Sequence, residues 1–117
     1  MKKRRRDLVR FVDKPYVSDG IRPRLSSIKW KMLCGIGMVG LHFVTLSDNE
    51  NDLFDIYPAA VFKQKSIRKS DRVILGVADS YENATAMIEE MVRESLDKCE
   101  GPGGIRAYYE QYVRDHV

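Results

Sequence analysis

Cysteine and histidine are scarce in this chain, two of each, and their placement excludes more than it offers. Cys34 and Cys99 lie far apart and form no C-x-x-C pair, so neither a zinc site nor a disulfide framework is encoded. That usage fits a reducing compartment, and the expected location is cytoplasmic. His42 and His116 are too isolated for a metal triad or a catalytic dyad. No Ser, Cys or Lys stands in a recognisable activating context. The expectation is a non-enzymatic domain with no cofactor, no metal and no small-molecule substrate.

Long apolar runs are missing as well. The longest, Met32 to Leu46, contains three glycines and His42. As a helix it would reach about 22 Å, short of the roughly 30 Å of bilayer hydrocarbon, so no membrane span is expected. A secretory leader is not expected either, because Asp7, Arg10 and Asp13 fall where its apolar run would have to come after the basic start.

What is present is an ordinary globular composition over 117 residues, 44% apolar and 32% charged, enough for one core. Residues 1–6 read as a disordered basic arm and 7–117 as a single domain. The net charge of +3 hides a strong asymmetry. Residues 1–31 hold eleven Lys/Arg against three acids, and residues 63–72 hold five against one. Residues 48–55 carry four acids, and residues 79–100 carry seven against two bases. Such a layout attracts polyanions at one part of the surface and repels them at another.

Along the chain, Leu8, Phe11 and Val12 share a helical face, which predicts a short N-terminal helix ending near Asp13, before Pro15. Residues 14–27, with two prolines and an Asp-Gly pair, read as an irregular connection. Lys29 and Lys31 alternate with Ile28, Trp30 and Met32, predicting a strand over 28–33. A second strand is expected at 41–47, with Leu41, Phe43 and Thr45 on one side and His42, Val44 and Leu46 on the other. A third, over 53–63, is broken or bulged at Pro58 and suits an edge. "RVILGVA" reads as a buried strand.

The clearest element comes next. Asp79 or Ser80 can cap a helix, Glu82 completes a capping-box pattern with Asp79, and Ala84, Met87, Ile88, Met91, Val92, Leu96 and Cys99 fall on one face. "GPGG" ends it, and "IRAYYEQYVRDHV" repeats the pattern with Ile105, Tyr108, Tyr109, Tyr112 and Val113. The expected fold is α+β: a mainly antiparallel sheet of about four strands, two C-terminal helices packed on one face, and a short basic N-terminal helix or arm.

Three motifs invite chemistry. Gly35, Gly37 and Gly40 have the spacing of a phosphate loop, but a dinucleotide site needs a helix after the glycines, and the residues beyond Gly40 are β-branched and aromatic. A kinase-like use also fails, since the chain lacks the catalytic Asp loop and the metal-binding Asp-Phe-Gly. The glycines therefore read as a turn or bulge between two strands. Asp48, Glu50 and Asp52 mimic the start of a calcium loop, but Leu53 and Ala59 stand where glycine and the bidentate acid are required.

The strongest lead is the basic end. Lys2, Lys3, Arg4, Arg5, Arg6, Arg10, Lys14, Arg22 and Arg24 can track a phosphate backbone, and Lys63, Lys65, Arg68, Lys69 and Arg72 extend the patch if they fold alongside. No helix-turn-helix, RNP strand or zinc finger accompanies them. The second lead is aromatic: Tyr108, Tyr109 and Tyr112 form one face of the last helix, a partner surface if the chain itself does not cover it. The strand, capped turn and acidic helix from Val73 to Lys98 resemble the end of the antitoxin domains of HicB type; the resemblance covers about a quarter of the chain and carries no residue over. Two functions are thus expected. The first is a binding or regulatory domain acting through protein contacts as a homodimer. The alternative is a basic accessory protein whose N-terminal arm binds nucleic acid.

Overall fold

The structure is a computed structural model that describes residues 10–18, 20–34, 38, 40–47, 52–64, 72–98 and 104–116. Lys2, Lys3, Arg4, Arg5, Arg6, Leu8, Gly35, Gly37, Asp48, Glu50, Lys65, Arg68, Lys69 and Cys99 lie outside the described residues, as does "GPG" at 101–103. Strands β1 (Arg10–Val17), β2 (His42–Leu46), β3 (Phe54–Pro58) and β4 (Val73–Ala78) form, among the described residues, a sheet of order β1-β4-β2-β3. Helix α1 (Leu25–Leu33) precedes β2, and α2 (Tyr81–Lys98) and α3 (Gly104–His116) close the chain.

The sheet is mixed rather than mainly antiparallel. β2 pairs antiparallel with β3 and β4, but β1 runs parallel to β4, from Arg10↔Val73 to Val17↔Val77. This replaces the expected N-terminal helix over residues 10–13 and part of the expected irregular connection. The reason lies in two adjacent side chains. Phe11 packs on one face of the sheet and Val12 is buried on the other, an alternation only a strand provides. Between Phe11 and Tyr16 the register slips, five steps of β1 passing two of β4. Pro15 sits in that slip, where the missing N–H costs no ladder bond.

The strand expected over 28–33 is helical. Ile28 and Met32 are buried four residues apart with Leu25 packed beside them, while Trp30, between them in sequence, is 61% exposed. On a strand Trp30 would have to share the buried face of Ile28 and Met32. Pro23 lies in the short 3-10 turn Arg22–Arg24 that leads into the helix, a position that wants its fixed φ. The glycine run therefore joins a helix to a strand, not two strands. Gly40, at φ +84°, takes the left-handed conformation that favours glycine.

The other elements agree with the sequence, except beyond Pro58. Leu41 and Phe43 face one side of the sheet and Val44 and Leu46 the other. β3 is an edge strand that stops at Pro58, and in place of the strand expected beyond it a 3-10 segment, Ala59–Lys63, turns Ala59 and Phe62, three residues apart, into the core. β4 is central and buried from Ile74 to Ala78. Against β2 its register moves from Thr45↔Ile74 to Val44↔Gly76, one extra residue. That bulge is why Ile74 and Val77 share one face while Leu75 and Ala78 share the other.

Both faces of the sheet are covered. α1 and the 59–63 segment pack with Ile21, Leu41, Phe43, Ile74 and Val77; α2 and α3 pack on the opposite face with Val12, Val44, Leu75 and Ala78. Ser80 caps α2, its Oγ accepting from the Asn83 N–H at 3.0 Å, while the Asn83 side-chain amide donates to Asp79. Ala84, Met87, Ile88, Met91 and Val92 all face inward, as expected. Leu96 does not: it is 47% exposed, and Ser95 is buried in its place, its hydroxyl donating to the Val92 carbonyl at 2.8 Å. No helix among the described residues is long and apolar enough to cross a membrane.

Candidate nucleic-acid interface

Parallel pairing of β1 with β4 decides where the basic segments meet. The Arg10 N–H donates to the Arg72 carbonyl at 3.0 Å, so the last residue of segment 1–10 and the last of segment 63–72 are fastened side by side at one end of the sheet. Six cations against one acid precede or include Arg10, and five against one precede or include Arg72. β2 ends there too, because it runs opposite to β4.

A cavity of about 390 Å³ opens at this end, lined by Arg10, Arg72 and Arg106 together with Ser47 and Glu110. Arg10 comes from β1, Arg106 from α3, and Arg72 stands immediately before β4. Arg106 is held by its Nη2, which donates to the Asp52 carbonyl at 2.6 Å, and by Glu110, whose carboxylate lies 3.9 Å from Nη1. Arg72 stacks over the Tyr57 ring, 5.3 Å from its centroid, and its Nε donates to the Tyr57 hydroxyl at 3.3 Å. On the same face as Tyr57, opposite α3, Lys29 of α1 reaches the Phe11 ring, 5.2 Å from Nζ to centroid, beside Arg10 in sequence. Arginine is suited to such a place, since its planar fork stays charged and hydrogen-bonds phosphate oxygens bidentately.

Other expected cations are elsewhere. Arg22 and Arg24 are exposed on the turn beyond the far end of β1, where the Ser18 N–H donates to the Val77 carbonyl, so the strand's length separates them from Arg10. Arg106 and Lys29 were not picked out by sequence reasoning. Most of the chain lies between Arg10 and Arg106, and no local pattern points to their convergence.

The aromatic candidates divide. Tyr109 is fully buried, with its hydroxyl donating to the Met91 carbonyl at 2.9 Å and its ring against Phe54 at 5.4 Å. It belongs to the chain's own core. Tyr108 and Tyr112 are half-buried around it. The Tyr16 hydroxyl lies 3.4 Å from that of Tyr109 and donates to the Glu94 carboxylate at 3.1 Å. Burial raises the Tyr16 pKa well above the ordinary value, with Tyr109 and Glu94 adding to it. Burial likewise pushes Tyr109 up to about 12, partly countered by its bond with Tyr16. Tyr112 is raised, first by burial and then by Tyr108 and Glu94. These phenols hold their protons at neutral pH, and their chemistry here is hydrogen bonding and packing.

β2 begins two residues after Gly40, so no helix N-terminus is set against the glycine run on that side. Among the described residues no group of three His, Cys, Asp or Glu is arranged to hold a metal ion. No family model, curated protein or solved structure matches the chain.

Proposed function

We propose that the chain is a binding domain for nucleic acid that contacts the phosphate backbone through the end of the sheet where β1 and β4 begin. The observation that carries this reading is the Arg10 to Arg72 backbone bond, which fastens the last residues of two separately basic stretches of sequence side by side. Arg106 and Lys29 add cations from the two helical layers. α2, with five acids against two bases, presents a surface that repels a polyanion. Contact of this kind reads charge and not sequence.

The test is affinity for single-stranded and duplex oligonucleotides as a function of salt. Retention at about 50 mM salt should fall steeply as salt is raised, and deletion of residues 2–6 should lower the log–log slope for single strands by about three. A flat salt response, or a slope untouched by the deletion and by Arg106→Ser, would remove the proposal. Homodimerisation through Tyr108 and Tyr112 is the competing reading, and sedimentation at tens of micromolar separates it: a monomer that still binds oligonucleotides favours the basic end.

A further inference from the structure

Trp30 is the chain's single tryptophan, and it stands 61% exposed on the outer side of α1. Of the positions one turn away, Ser26, Ser27 and Cys34 are small and exposed. The segment from Arg22 to Cys34 contains four cations and no acid. Lys29 and Lys31 flank the indole in sequence, and Lys29 ties this stretch of α1 to Phe11 next to Arg10.

From this we infer that Trp30 is a stacking platform for an unpaired base, so that the domain favours single-stranded nucleic acid over duplex. The inference rests on the nucleic-acid reading above and adds to it which strand form is taken. Phosphates answer the positive charge, and the flat indole face answers a base plane, the combination by which single strands are held without sequence readout. A duplex hides those planes in its own stack. An anionic membrane offers the same charge, but a helix that lies in lipid needs a contiguous apolar face. In α1, Leu25, Ile28 and Met32 are turned into the core while Trp30 stands exposed.

Because there is one tryptophan, its emission reports the site directly. The full chain is titrated with an oligothymidylate of about 12 nucleotides, with a duplex of equal length and with phosphatidylglycerol vesicles. Binding of each labelled oligonucleotide is monitored independently by anisotropy. Quenching by the single strand and none by the duplex is expected. Trp30→Ala should weaken single-strand binding about five- to 150-fold, and Trp30→Phe, which keeps a ring, should recover most of it. Bound single strand with unchanged emission and an unaffected Trp30→Ala overturns the inference and leaves the phosphate-binding reading standing. Absence of binding by any oligonucleotide at about 50 mM salt defeats that reading, and this inference with it. A blue shift on vesicles without quenching by the single strand assigns the indole to lipid instead.

Discussion

A single methyl group added at Gly76 probes how β1, β4 and α2 meet. An ideal Cβ there would lie 2.5 Å from the Met87 sulfur, 3.2 Å from the Tyr16 carbonyl oxygen and 3.5 Å from the Tyr16 Cβ. The backbone itself does not object, since Gly40 is the positive-φ glycine among the described residues. Alanine therefore gains about 0.4–1 kcal/mol by restricting the unfolded chain. Against that stands overpacking, about 1–3 kcal/mol in a filled interior. Met87 relieves its contact only by turning the thioether out of its packed position, which carries most of the cost, whereas the Tyr16 carbonyl, held by the Tyr16↔Gly76 pairing, has to give by only a few tenths of an ångström. The net expectation is a loss of about 1–2 kcal/mol. With an unchanged slope, the urea midpoint should drop by roughly 0.5–1 M. In a Met87→Ala background the sulfur is gone, and the same substitution should cost only a few tenths of a kcal/mol, a coupling of about 1 kcal/mol. A midpoint that stays or rises in the wild-type background, or equal costs in both, would show that α2 does not cross β4 at Met87.

Tyr109→Phe removes the buried bond to the Met91 carbonyl and should cost about 1 kcal/mol, whereas Tyr109→Ala, which also opens a cavity, should cost about 3–5 kcal/mol. The same residue sets an alkaline limit. Tyr109 keeps its proton up to about pH 12 when folded, against 10.0 for the ordinary phenol. Its contribution is therefore intact below pH 10 and lost as pH rises from there toward 12, at about 1.4 kcal/mol per unit. Tyr16 acts in the same direction. Urea midpoints compared at about pH 9 and about pH 11 should fall less for Tyr109→Phe than for wild type, and identical falls would contradict the buried phenol. Ser80→Ala should cost about 1 kcal/mol by uncapping α2, with Ser80→Asp close to wild type in the same melts. Gly40→Ala meets no close neighbour but must hold φ +84°, so a loss of about 1–2 kcal/mol without any change in oligonucleotide affinity is expected.

The elements with one wet face were legible in the sequence. α2 and α3 repeat apolar residues at helical spacing because each is buried on one side and solvated on the other. β2 was legible for another reason: its aromatic and β-branched run is too short for a helix and is bounded by glycine and by acidic residues. β1 and α1 were not. β1 belongs to a sheet covered on both faces, so Phe11 and Val12 are both apolar and imitate a helical stripe. In α1 the exposed Trp30 stands where a strand would need a buried residue, and over six residues a spacing of two and a spacing of four look alike. Ser95 and Leu96 exchanged roles because a packed helix tolerates a hydroxyl that bonds its own backbone. Of the candidate interface, the basic runs of the sequence showed the charge, Arg10 and Arg72. Their assembly with each other and with Arg106 depends on pairings between distant segments, which local patterns do not encode.

Amide shifts of the isotope-labelled chain during titration with the single-stranded oligonucleotide test the proposed interface most directly. Arg10, Arg72, Arg106 and residues 29–31 should move together and saturate at one concentration, with the exposed face of α2 unmoved. Shifts centred on Tyr108 and Tyr112, or on α2, with Arg10 and Arg72 stationary would contradict it.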